Sequence, residues 1–145
     1  MNVPAKSEYG LQALMHLAEH GAQGLIPARE IAASGGIPVK YLEQILKHLG
    51  DGGLVEGHVG AGGGYRLTRP ARFITAGEAI RLLDERLGLG ETGGPGSRKS
   101  VLPGDALGQL WARVEEGIQA VVDVVTIADL CAWRREARET ARTAS

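Results

Sequence analysis

Two stretches decide the fold: Pro38-Val39-Lys40-Tyr41-Leu42-Glu43-Gln44-Ile45-Leu46-Lys47-His48-Leu49-Gly50, and, a few residues on, Gly57-His58-Val59-Gly60-Ala61-Gly62-Gly63-Gly64-Tyr65-Arg66. In the first, Leu42, Ile45, Leu46 and Leu49 fall at i, i+3, i+4 and i+7, the spacing that lines one face of an α-helix; Pro38 suits its start and Gly50 its end. Around the second, Leu54-Val55 and Tyr65-Arg66-Leu67 have strand character on either side of a glycine run, which reads as a glycine-tipped hairpin. Burying the Leu/Ile stripe leaves Val39, Lys40, Tyr41, Glu43, Gln44 and Lys47 outward. That mixture can reach phosphates and base edges.

Working outward, Ser7 precedes Tyr9, Leu11, Leu14, Met15, Leu17 and Ala18, which share one helical stripe ending at Gly21. A shorter helix is expected from Pro27 to Ala33, with Ile31 and Ala32 inward and Ser34-Gly35-Gly36 breaking it. Three short helices and then a hairpin is the layout of a winged helix-turn-helix, whose second motif helix enters the major groove while the hairpin tip touches the adjacent backbone or minor groove. Thr75-Ala76-Gly77-Glu78 is a capping-box pattern opening a fourth helix. Gly88 to Gly104 has no helical or strand period and, on composition, is expected to be a mobile loop. Beyond it Leu107, Trp111, Val114, Ile118, Val121 and Val125 advance alternately by four and three, a heptad seam suited to a partner helix and hence to a homodimer. Thr126 with Asp129 caps a last helix that turns Ile127, Leu130 and Cys131 inward and carries Arg134, Arg135, Arg138 and Arg142 as a basic, solvated tail. The expected organisation is mainly α: a winged helix-turn-helix over 1–84, a glycine-rich loop over 85–104, and C-terminal dimerisation helices over 105–145.

Composition narrows the function. The 145 residues, 43% hydrophobic, make about one domain's worth of chain. Sixteen Lys+Arg against 17 Asp+Glu give a formal charge of -1, so no global field announces a polyanion or a membrane surface. The single cysteine, Cys131, excludes an intrachain disulfide and a four-thiolate metal site, and on its inward stripe it reads as a small buried apolar residue rather than a redox sensor. No apolar run approaches a membrane span, so a cytoplasmic chain without a membrane partner is expected. His16, His20 and His48 form no metal-spaced set, and no catalytic constellation is recognisable; no metal, cofactor or enzymatic activity is expected. The glycine run lacks a Gly-x-Gly-x-x-Gly register and a following Gly-Lys-Ser/Thr, which removes a nucleotide loop.

The candidate DNA-reading set follows from side-chain chemistry. Gln44 can pair with adenine and Glu43 can accept from cytosine N4, whereas Lys40 and Lys47 more naturally meet phosphate. Gly60, Gly62 and Gly63 form a tip whose bare backbone can approach phosphates, and Arg66 opens a local basic cluster with Arg69 and Arg72. Arg29, Val39, Tyr41 and His58 complete the set. For the helix face the bland alternative is an ordinary solvated surface. For the chain as a whole it is a winged-helix module that acts by docking a protein partner, a reading favoured by the near-neutral charge.

Tyr41-Leu42-Glu43-Gln44-Ile45-Leu46, Gly53-Leu54-Val55, Gly60-Ala61-Gly62-Gly63-Gly64-Tyr65-Arg66-Leu67, Ile74-Thr75, Leu110-Trp111 and Thr126-Ile127-Ala128-Asp129-Leu130 together resemble the Rrf-two family of bacterial winged-helix transcriptional regulators, typified by IscR, NsrR and CymR. The resemblance spans nearly the whole chain. It implies a homodimeric repressor on a palindromic operator in double-stranded DNA, with the long C-terminal helices joining the subunits and a protein or small molecule as effector. In the iron-sulfur members three cysteines lie in the loop corresponding to Gly88–Gly104; here that loop has neither Cys nor His, which implies a cluster-less member. Where the family often carries an Arg before the glycine tip this chain has Val59, with His58 beside it as a partial substitute or a solvated residue. Trp111 and Trp133 are candidates for an effector pocket, although the seam position of Trp111 argues for the dimer core.

Overall fold

The Leu/Ile stripe is the centre of the molecule. In a computed structural model that describes residues 4–83 and 105–144, Leu42, Ile45, Leu46 and Leu49 are all completely buried on helix α3 (Val39–Asp51). Such burial stabilises by roughly 1.5–3 kcal/mol per side chain. They pack on Ala13, Leu14 and Leu17 of α1 (Ala5–His20) and on Ile31 and Ala32 of α2 (Ala28–Gly35). Helix α1 is the hub, touching α2, α3, the fourth helix α4 (Ala76–Leu83) and the last helix α6 (Ile127–Thr143).

Several boundaries differ from the expected ones. Helix α1 starts at Ala5 on Pro4, whose carbonyl accepts from Glu8 N–H at 3.2 Å; Ser7 is no cap but a fully buried helical residue whose hydroxyl lacks a partner among the described residues. Helix α2 runs through Ser34 and Gly35 because the left-handed residue that stops it is Gly36 (φ 63°), whose N–H closes on the Ala32 carbonyl. Helix α3 passes through Gly50, and Gly52 N–H ends it on the His48 carbonyl at 3.1 Å.

Strands β1 (Val55–His58) and β2 (Gly64–Leu67) pair antiparallel with Val55 opposite Leu67 and His58 opposite Gly64. Ile26 adds a one-residue third rung, exchanging 2.8 and 3.0 Å backbone bonds with Tyr65. That rung presses on Gly64, where a Cβ would lie 2.5 Å from the Ile26 carbonyl carbon. The hairpin is therefore tied to the segment just before α2.

Twin capping boxes dock the C-terminal unit. Thr75 N–H donates to Glu78 (2.9 Å) and Glu78 N–H to the Thr75 hydroxyl (3.2 Å), while Thr126 and Asp129 repeat the exchange at 2.9 and 3.1 Å. The two caps also bridge each other: Ala76 N–H donates to Val125 (2.8 Å) and Ile127 N–H to Ile74 (2.9 Å). Arg81 and Asp123 add an ion pair at 2.6 Å. The remaining helix, α5 (Ala106–Val122), buries none of its own residues. The expected seam divides there. Ile118, with Val122, turns toward Ala76 and Ile80 of α4, and Val125 lies beyond the helix end in the turn to α6. Leu107, Leu110, Trp111, Val114, Val121 and Val124 remain exposed, and Leu110, Val114 and Val121, with the exposed Gly117 between them, form an apolar line on one side of α5. The expected loop at Gly88–Gly104 lies outside the described residues.

The inward and outward sides of α3 should separate cleanly in urea unfolding. Leu46→Ala is expected to cost about 2–5 kcal/mol and Gln44→Ala less than about 0.5 kcal/mol; comparable losses would mean that α3 is rotated from this placement.

Candidate nucleic-acid interface

With the stripe buried, α3 has no freedom to hide its other side. Lys40, Glu43, Gln44 and Lys47 are exposed, and Val39 is 42% exposed. Tyr41 differs from the expected outward set: it is half-buried, edge-on to Tyr9 of α1 with ring centroids 5.9 Å apart. Its ring braces α3 against α1.

The wing stands beside this face. An open cleft of about 480 Å³ is lined by Glu43 from α3, by His58, Val59 and Gly63 from the wing, and by Pro27 and Ala28 at the start of α2. The structure thus brings Glu43, His58 and Gly63 to one concavity, while Lys40, Gln44 and Lys47 continue along α3 and Arg29 is exposed on the first turn of α2. Pro27 and Ala28 were not among the sequence candidates. Their signal was the helix-opening proline, since the first N–H groups of α2 lack intrahelical partners and the residue before the helix offers no side-chain cap.

Backbone geometry shapes the wing tip. Gly60 (φ 104°) and Gly62 (φ 76°) take positive dihedrals, and Gly63 N–H closes the turn on the Gly60 carbonyl at 2.9 Å. A Cβ on Gly63 would lie 2.2 Å from the His58 carbonyl oxygen. The tip projects Val59 and His58 into solvent.

Electrostatically the site is sparer than its sequence. Arg66 is ion-paired with Glu56, its cross-strand neighbour. Arg69 pairs with Glu78 at 2.7 Å, and Arg72 lies 4.7 Å over the Phe73 ring. Burial pulls the Glu78 carboxyl upward, but Thr75 N–H and Arg69 outweigh it and hold the group below its ordinary value. The expected basic cluster after the wing is therefore largely satisfied within the chain. Arg29, Lys40 and Lys47, on α2 and α3, are exposed without an ion pair among the described residues, as is Arg72 apart from its ring contact.

A family model described as "Iron-dependent Transcriptional regulator", Rrf2, matches residues 3–133. The chain belongs to the Rrf2 family. The HTH-type transcriptional regulator CymR of Bacillus subtilis is 33% identical over 135 residues, covering 92% of this chain and 91% of that one. The solved structure of T. potens IscR superposes with a TM-score of 0.78 at 33% identity, over 94% of this chain and 90% of the other. CymR, described as the global cysteine regulator of B. subtilis, gives 0.76 at 30% identity over 92% and 98%. With Rrf2 regulators matching in sequence and in winged-helix fold, the chain is a DNA-binding transcriptional regulator of the helix-turn-helix type, and the relatives are regulators rather than enzymes. No helix among the described residues is long and apolar enough to cross a membrane.

Gly63→Ala tests the tip. Because its methyl group meets backbone rather than a yielding side chain, amide chemical shifts from His58 to Gly64 should move while helical circular dichroism stays within a few per cent; unchanged wing shifts would refute the close-approach reading.

Proposed function

We propose that the protein is a homodimeric, sequence-specific repressor that binds a palindromic operator through α3 and the wing, without a thiolate-held iron-sulfur cluster. The observation that carries it is the shared cleft: Glu43 of α3 and His58 and Gly63 of the wing line one concavity. In this reading α3 enters the major groove, with Gln44 and Glu43 at base edges and Val39 available for a thymine methyl. Lys40, Lys47, Arg29 and the N-terminus of α2 meet phosphates. The tip at Gly60, Gly62 and Gly63 lies along the neighbouring backbone, and His58 reaches the groove beside it. Arg66 serves chiefly by holding the hairpin register through Glu56. A loop without cysteine, in a chain whose single thiol is the buried Cys131, supports the cluster-less assignment; burial pushes that thiol up, away from the reactive thiolate. Such a protein would work in the cytoplasm.

The dimer reading rests on α5, whose exposed apolar line has no cover among the described residues. A second copy supplies a matching line by symmetry. Midway along it, a methyl group added at Gly117 would meet nothing within 4 Å, so two helix axes can approach most closely there. The protein-docking alternative is favoured by the paired arginines, and retention of one protein without DNA would select it.

In fluorescence anisotropy on DNA from upstream of the protein's own gene, Lys40→Ala with Lys47→Ala should weaken binding on all sequences and reduce the salt slope by about one per lysine removed, whereas Gln44→Ala should relax preference at particular base pairs. Unchanged affinity and selectivity in both variants would end the proposal.

Gly117→Ala has a signed outcome. Alanine should raise intrinsic helix stability by about 1 kcal/mol at an open position, yet weaken the dimer at least tenfold in sedimentation equilibrium if Gly117 is the crossing point. Unchanged or tighter association would place the crossing elsewhere.

A further inference from the structure

A second cavity lies on the other side of α1, between the reading head and the C-terminal helix. It holds about 170 Å³, several times the roughly 30 Å³ that one water occupies in the liquid. Helix α1 contributes Gln12, His16, Glu19 and His20, α6 contributes Arg134 and Arg138, and the end of α2 closes it. The charges are unequally spent. Glu19 and Arg134 are paired at 2.7 Å, whereas Arg138 lines the cavity without an ion pair among the described residues. The rings of His16 and His20 lie with centroids 4.4 Å apart, and His16 Nε2 is buried with no hydrogen-bond partner among the described residues. Burial, and next the neighbouring His20, hold the His16 imidazole below its usual range, with Arg134 acting in the same direction and Glu30 and Glu19 opposing. Two carbonyls near the end of α2 are occupied: Ser34 hydroxyl donates to Ile31 at 2.7 Å, and Gly36 and Ile37 N–H both donate to Ala32.

We propose that this cavity is an effector site for a small ligand bearing a carboxylate or phosphate group, with Arg138 and the two imidazoles as its principal donors. The lining carries one cation in excess before either imidazole is protonated, and its volume suits a small organic anion rather than a nucleotide. The regulatory consequence rests on the proposed dimeric DNA-binding reading. A ligand seated there touches α2, the first helix of the helix-turn-helix, and α6, which follows the dimerisation helix, so its occupancy sets how the reading head is held against the C-terminal unit.

The test is isothermal titration calorimetry of the intact protein in chloride-poor buffer, with inorganic phosphate and with succinate in separate arms and no DNA present, so that a failure of DNA binding is read independently. Saturable binding of either anion is expected, and whichever binds identifies the group. Arg138→Ala should weaken it at least tenfold, whereas Arg135→Ala, one turn away with the same charge change, should alter it less than twofold. In proton NMR the His16 titration should move to higher pH on saturation. Absence of saturable heat with both anions, equal losses in the two arginine variants, or a His16 titration that does not respond would each overturn the site. Normal anion binding with an unaltered affinity for operator DNA would overturn its role as an effector site.

Discussion

The burial of four aliphatic side chains on α3 sets the rotation of that helix, and the face that the proposed reading turns to DNA follows from that rotation. A helix whose Leu42, Ile45, Leu46 and Leu49 are each fully enclosed cannot turn without taking apolar surface out of the core. The Tyr41 ring on Tyr9 holds it from the side. The polar side is thereby presented by default, and specificity can vary through Glu43 and Gln44 without disturbing the core that aims them.

The wing depends on the same core by a different route. Strand β1 begins at Val55, which is buried together with Leu54 just before it, and Ile26 ties β2 back to the start of α2. Three segments thus meet at one cleft, and on the proposed reading α3, the wing tip and the α2 N-terminus would approach a duplex as one surface. The caps at Thr75 and Thr126 extend this rigidity to the C-terminal unit, because the residues that open α4 and α6 exchange backbone bonds with each other's flanks.

How much of this was legible depended on the range of the interaction. The faces of α3 and both capping boxes were readable because their patterns are local: spacing within two turns, or a Thr three residues before an acid. The fate of Arg66 was not, since its partner Glu56 is set by hairpin register, and a one-residue slip would have placed a different neighbour opposite. The seam on α5 was legible only in part, for another reason. Two apolar faces overlap on one helix, one turned to α4 through Ile118 and Val122 and one exposed through Leu110, Val114 and Val121, and a heptad count cannot separate them. The cavity at His16 and Arg138 was invisible because it joins α1 to α6 across more than a hundred residues, as the Glu19–Arg134 pair does. Ser7 shows the limit of cap signals: a serine before an apolar stripe can equally be an interior residue when a proline upstream opens the helix.

Charge economy links the proposed reading head to the proposed dimer. With Arg66 and Arg69 engaged by Glu56 and Glu78 and Arg72 laid over Phe73, Arg29, Lys40 and Lys47 are left beside α3 and the start of α2 as exposed cations without an ion pair among the described residues, fewer than a non-specific polyanion binder would use. Low charge suppresses binding to arbitrary DNA, and it makes a single head weak. On the proposed dimeric reading, affinity for an operator comes from two heads engaged together, where the second contact is intramolecular and its strength depends on how well the heads match the half-site spacing. Under that arrangement a small change in the seating of α1 and α2 against α6 is amplified, because it alters the spacing on which the second contact depends.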